Sequence, residues 1–275
     1  MALADYTSLK AKQLSPTQSH DIVKITTTVG PTLGVSSHST WRSTGNPGAG
    51  SIPAGSAVCD RTTVGGVGQR NPSAGELRAW VRRVQAGYTT PANTACAGIQ
   101  ICDRLVHMGG LDGTSVAAQT VSTSALTRST AGAMAAVEIY TAVGATPQTF
   151  TVSYTNQAGA AGQVSQPVEL GATGRSAANR MCPISLSVGD TAVKAVSTLT
   201  LSGSTGTVGS FGVTLYKPLS PIMPLFSQYS SSGDPVLDWG GYAALVDTDA
   251  CLFFIVYSTG ALTINTLMTL DMFED

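Results

Sequence analysis

A mainly β fold is what these 275 residues predict: a jelly-roll-like sandwich of two antiparallel sheets with an extended, irregular N-terminal arm. Three observations carry the expectation. After Gly98, runs of Val, Ile, Thr, Tyr and Leu recur at short spacing, separated by clusters of Gly, Asn, Ser and Pro, the texture of strands joined by turns. Before that, Pro16, Pro31, Pro47, Pro53 and Pro72 and the Gly-rich stretch 44–53 forbid long helices and central strands. Charged residues are 11% of the chain, against about 25% in an average soluble domain. Hydrophobic residues reach 43%, so disorder is not the reason for the low charge.

Taken in order, residues 1–72 read as the arm, with one short strand over 20–27. An arm of this length is expected to lie along a neighbouring subunit, and its first 60 residues to be dispensable for folding. Residues 73–217 read as the sandwich domain. It opens with Ser73 to Glu76, which resembles a helix-capping box, followed by Leu77, Trp80, Val81 and Val84 at helical spacing. One helix over 74–85 fits local rules, with Arg78, Arg82 and Arg83 on its wet face; a strand is the alternative. Strands follow over 98–106, 118–127, 134–142, 148–155, 163–170, 181–187, 193–202 and 208–216. In the clearest, Phe150, Val152 and Tyr154 share one face and Thr149, Thr151 and Ser153 the other. Eight such strands suggest two packed sheets. Residues 218–275 read as a C-terminal extension whose two further strands, 251–258 and 262–271, pack on the sandwich or on a neighbour.

The net charge of −1 hides an asymmetry. Ten of the basic residues lie within 1–104, whereas no Lys or Arg follows Lys217 and seven acidic residues do. Two readings fit: head-to-tail contact between identical subunits, or two ends facing each other within one monomer. On the first, the candidate contact residues are Arg78, Arg82 and Arg83 against Asp234, Asp238, Asp247 and Asp249.

Cys59, Cys96, Cys102, Cys182 and Cys251 form an odd, scattered set, unlike a secreted disulfide framework. They read as small buried hydrophobes of a protein made in a reducing cytoplasm. The first residues lack the basic and apolar segments of a signal peptide, and the apolar run 250–257 is far too short to cross a bilayer as a helix.

Signatures of catalysis are largely missing. The sequence holds no Walker loop, no His-Glu-x-x-His and no Gly-x-Ser-x-Gly elbow. The glycines at 65, 66 and 68 lack the Lys-Ser/Thr ending of a phosphate cradle. Cys102, Asp103 and His107 are the one compact cluster of nucleophile, acid and imidazole, but on a strand Cys102 and Asp103 point to opposite faces. Asp247 and Asp249 could approach a hard cation, though no ligand loop surrounds them, and Asp190 reads as a turn residue. No catalytic residue, metal site or cofactor is expected.

Residues 102–121, with the Asp103-Arg104-Leu105 strand end, the Gly-rich turn at 109–113 and the run Ala118 to Val121, resemble a segment of structural proteins of tailed bacteriophages. Residues 151–159, 189–191 and 211–215 resemble the paired strands found later in those proteins. The likeness spans about residues 98–217. It implies a capsid-associated protein of the cement or decoration type, located in the virion after synthesis in the host cytoplasm. The implied partner is the major capsid protein of the same virus; a homotrimer held by the sandwich edges and the arm is expected from the sparse charge and the proline content of the arm. Neither nucleic acid nor membrane is implied. A tail or baseplate component is the alternative within this class, and a carbohydrate-binding jelly-roll module the alternative outside it.

Overall fold

The computed structural model describes residues 15–28, 36–68, 77–88, 97–123, 128–172, 174–220, 222–225, 244–261 and 263–274, with the single positions 11 and 126. For 77–88, 223–225, 244, 273 and 274 it describes the backbone alone. In chain order the strands begin with β1 (Gln18–Thr27), β2 (Ser36–Ser39), β3 (Thr44–Asn46), β4 (Ser56–Val58), β5 (Leu77–Tyr88) and β6 (Ala97–Leu111). The middle of the chain gives β7 (Gln119–Thr120), β8 (Met134–Thr141), β9 (Gln148–Asn156), β10 (Gln163–Val164), β11 (Val168–Leu170) and β12 (Arg180–Pro183). The last six are β13 (Val193–Leu201), β14 (Ser210–Pro218), β15 (Met223–Leu225), β16 (Ala244–Val246), β17 (Leu252–Ser258) and β18 (Thr263–Glu274).

The fold is mainly β, and its central layer is a closed sheet. Its order is β14-β8-β12-β2-β17-β6, and β6 pairs again with β14, so six antiparallel strands close into a barrel. One strand can serve both seams because β6 is long and its two halves do different work. Residues 97–103 pair with β17, and residues 102–111 pair with β14 on the opposite edge. Two further sheets flank the barrel: β16-β5-β18-β1-β3 on one side, and β10-β9-β13-β7, with β11 also on β9, on the other.

Alternation along the barrel strands then creates three cores rather than one. On β8 and β14, Ala135, Val137, Ile139, Phe211, Val213 and Leu215 face outward and meet Phe150, Val152, Leu199 and Leu201 of one flanking sheet. On β6 and β17, Ile99, Ile101, Leu252, Phe254 and Val256 meet Ile22, Ile264, Met268 and Leu270 of the other. The inward residues Cys102, Ala136, Tyr140, Tyr216, Phe253 and Ile255 fill the barrel with Trp41.

The structure decides between the two readings of residues 74–85 and corrects the reading of the N-terminal segment. Residues 77–88 form a strand, not a helix: β5 pairs with β18 from Ile264 opposite Tyr88 to Glu274 opposite Leu77. The capping box and the helical spacing are local signals, and a long partner strand outweighs them. The described parts of residues 1–72 are no arm either. β1 pairs along its whole length with β18, and β2 sits between β12 and β17 in the barrel wall. Pro16, Pro47 and Pro53 stand outside these strands, which is why the strands tolerate them. Within the described part of 118–127 the strand is Gln119–Thr120, extended by hydrogen bonds from the Val121 and Thr123 amides to Ser197 and Val196, and residues 163–170 are split into β10 and β11.

Trp41 is fully buried and its indole N–H donates to the Ser51 carbonyl at 3.1 Å. A chain lacking residues 1–60 therefore loses a barrel strand and the largest side chain of the barrel core. It is expected to show no cooperative thermal transition by circular dichroism, and Trp41→Ala in the full chain to cost about 3–5 kcal/mol.

Candidate functional site

The chemistry-bearing side chains converge inside the barrel. On a regular strand Arg104 and His107, three positions apart, would face opposite ways. The pairing of β6 with β14 shifts between Val106 and Arg104, leaving Leu105 as the extra residue of a bulge. The bulge turns both Arg104 and His107 inward. The Arg104 guanidinium then reaches Glu138 of β8 at 2.7 Å, Tyr140 at 3.2 Å and Nδ1 of His107 at 3.3 Å. Its planar face lies 4.3 Å from the centre of the Trp41 ring, a cation–π contact within a desolvated site. His107 meets Trp41 edge-on.

Glu138 is equally enclosed. Burial works against its charged form, but the Arg104 charge and hydrogen bonds from Arg104, Thr214 and Ser39 outweigh that, holding its carboxyl below the usual range. A buried pair of this kind adds little net stability relative to well-packed apolar residues, yet losing one partner strands the other charge.

Beside this pair lie two thiols, Cys59 and Cys251, both fully buried. A hydrogen bond from Cys251, opposed by burial and assisted by His107 and Arg104, lowers the Cys59 thiol, and the same bond together with burial raises Cys251. Cys102 points into the barrel as well, its thiol pushed well up by burial and by Asp103. Asp103 points the other way, where Arg128 clasps it through two bonds of 3.1 and 3.0 Å and the Cys251 amide donates to it at 2.9 Å. Cys102, Asp103 and His107 thus do not form one constellation. The constellation that does exist, Arg104, Glu138, His107, Tyr140 and Trp41 with the Cys59–Cys251 pair, has no sequence signature except the Arg104–His107 proximity. A bulge was needed to expose it.

The remaining expected residues are dispersed. Asp249 lies 3.6 Å from Arg61 and 4.0 Å from Arg128, so its ion pairs are with basic residues of its own chain. Asp247 accepts from the Asp249 amide in a turn. Arg78, Arg82 and Arg83 lie on β5, where the backbone alone is described, and Asp234 and Asp238 lie outside the described residues. Asp190 does more than turn the chain: it accepts from Tyr154 at 2.6 Å and Asn156 at 2.7 Å, tying the 187–190 turn to β9. Among the described residues no group of three or more His, Cys, Asp or Glu side chains is placed to hold a metal ion. An open depression of about 450 Å³ is lined by Thr123, Arg128, Ser129, Thr130 and Lys194. A smaller one, of about 270 Å³, lies beside His20, Asp21, Asn46 and Pro47.

No known family and no curated protein matches the chain in sequence. Among solved structures it aligns with capsid protein VP2 of infectious bursal disease virus. For the VP2 subviral particle the identity is 9% over 99% of this chain and 87% of that one, with a TM-score of 0.22. For T=1 particles derived from the same virus it is 9% over 95% and 79%, with a TM-score of 0.21. Overlap this low carries no argument about function.

Two predictions follow, one from the barrel interior and one from the barrel wall. Glu138→Leu leaves Arg104 buried and unpaired and should cost about 3–5 kcal/mol by urea denaturation. Adding Arg104→Met should recover most of that loss, because no charge is then stranded. The second concerns acid. Burial, aided by the Arg180 charge, lowers the pKa of His38 from 6.5 to about 3. Between those values the unfolded chain binds a proton that the folded chain refuses. Stability is therefore full above the unfolded value and falls with pH below it, by about 1.4 kcal/mol per unit from this group. Glu138, lowered as well, adds to the loss at still lower pH. Unfolding free energies measured from pH 8 to 4 should show this slope, and His38→Asn should flatten it.

Proposed function

We propose that the chain is a structural protein of a virus particle, a cement or decoration protein that binds the outside of a tailed-phage head as a homotrimer. The carrying observation is where the charge goes. The sequence has few charged residues to begin with, and Lys24, Asp103, Arg104, Arg128, Glu138, Arg180 and Asp271 are buried. Charges such as Asp21, Glu169, Lys194 and Asp247 are exposed among the described residues, but they are spaced widely among hydroxyls and small or apolar side chains. Thr149, Thr151, Ser153 and Thr155 form such a row on β9, half-exposed, while Val23 and Ile25 stand exposed on β1. A skin this poor in charge suits coverage by other protein chains, because burying a hydroxyl or a methyl costs far less than burying an ion. The likeness of residues 102–121 to tailed-phage structural proteins points the same way. Many copies, each covering a seam with an ordinary interface of about 800 Å² per partner, suffice to hold a shell.

Light scattering on the purified protein should give three times the 28.1 kDa chain mass, and the protein should co-sediment with empty phage heads and raise their disruption temperature. A monomer that leaves the heads unchanged would count against the proposal, and enrichment on tails instead of heads would move it to the baseplate.

A further inference from the structure

β4 and β17 lie one after the other along the same edge of β6. β4 pairs with residues 108–106, and the Cys59 amide continues that ladder by donating to the Leu105 carbonyl at 3.0 Å. β17 begins with Leu252 opposite Asp103, and the Arg104 amide donates to the Cys251 carbonyl at 2.8 Å. Cys59 and Cys251, about 190 residues apart in sequence, therefore occupy successive places on one strand edge. Because β6 bulges at that point, both side chains enter the barrel, where they belong to the same buried cluster.

The surroundings favour this pair over the other described cysteines. Gly66 packs directly on Cys251: a Cβ at that position would lie 2.6 Å from its sulfur, so glycine leaves the space the thiol occupies. Arg104 and His107 beside Cys59 favour a thiolate there, the form that reacts with oxidants. Cys102 is disfavoured as a thiolate by burial and Asp103, and Cys182 by burial in the separate core beneath β9 and β13.

We propose that Cys59 and Cys251 are a latent disulfide, reduced as the chain folds and closed when the folded protein meets a small peroxide. The Cys59 thiolate attacks one oxygen of hydrogen peroxide, breaking the O–O bond and giving a sulfenic acid and hydroxide. The Cys251 sulfur then displaces the sulfenic oxygen, forming the S–S bond. Summed over both steps, the two thiol hydrogens and the peroxide leave as two waters: two sulfurs are oxidised by one electron each and the peroxide is reduced by two. The bond joins the end of β4 to the start of β17, across the seam where the N-terminal and C-terminal parts of the chain meet on β6. Closing so long a loop constrains the unfolded chain strongly.

The test uses the full-length native protein, treated with millimolar hydrogen peroxide, quenched with catalase, then denatured and alkylated. Peptide mapping without reductant should show one linked pair, the peptides containing Cys59 and Cys251. The intact mass should fall by two hydrogens, and dithiothreitol should reverse both. The melting temperature of the oxidised protein should rise by roughly 10 °C. In Cys251→Ser, Cys59 should instead be trapped by dimedone as a sulfenic acid. If all five cysteines are alkylated after native oxidation, or the link forms only in urea or between other cysteines, the proposal is overturned. The wild-type map alone decides this even if the variant does not fold.

Discussion

Closure of the barrel rests on one strand, β6, and on the bulge at Leu105 that lets it serve two seams. Before the bulge the strand pairs with β17 and faces the core beneath β1 and β18; after it, the strand pairs with β14 and faces the core beneath β9 and β13. The same irregularity carries Arg104 and His107 into the lumen together. Arg104 then has an acceptor in Glu138 of β8, on the far side of β14, and a ring face in Trp41 from the connection after β2. A pairing register that moved either strand by one residue would turn a full charge into an apolar core. The ion pair therefore penalises wrong registers more than it stabilises the right one.

Polar groups inside the molecule are handled by enclosure in partners, not by access to water. Lys24 illustrates this without a counter-charge: its ammonium donates to the carbonyls of Ser43, Pro47 and Gly48 at 3.2, 2.6 and 3.3 Å. Burial lowers its pKa from 10.5 to about 8. Its role is to hold the loop that follows Trp41 against β1. Arg128, reaching back from the loop before β8 to Asp103, does the same for another irregular segment. Both side chains thus fasten irregular segments to the strands beside them.

The charge asymmetry of the sequence has a partial resolution within one chain. Arg61, from the basic half, and Asp249, from the acidic end, meet at the rim of the barrel next to Cys59 and Cys251. The N-terminal and C-terminal segments are thus neighbours in the fold, held by pairing of β1 with β18, of β2 with β17, and by this exposed ion pair. An exposed pair at 3.6 Å contributes little by itself; the strand pairing does the holding.

Composition and alternation by themselves determined the β class, the positions of most strands after Gly98 and the opposite orientations of Cys102 and Asp103. These are local properties: a period of two, β-branched residues and turn residues act over a few positions. Closure of six strands into a barrel was decided by tertiary structure alone, because pairing between β6 and β14 or between β2 and β17 joins residues far apart that no short pattern relates. The same holds for the strand at Leu77–Tyr88, whose helical spacing yields to a long partner in β18, and for the described residues before 68, where Pro16, Pro47 and Pro53 lie between strands without preventing them. The buried cluster of Arg104, Glu138, Trp41, Cys59 and Cys251 draws on five separate segments. One extra residue in β6 sets its geometry, and a bulge depends on which strands lie on either side, information that the sequence of β6 does not contain.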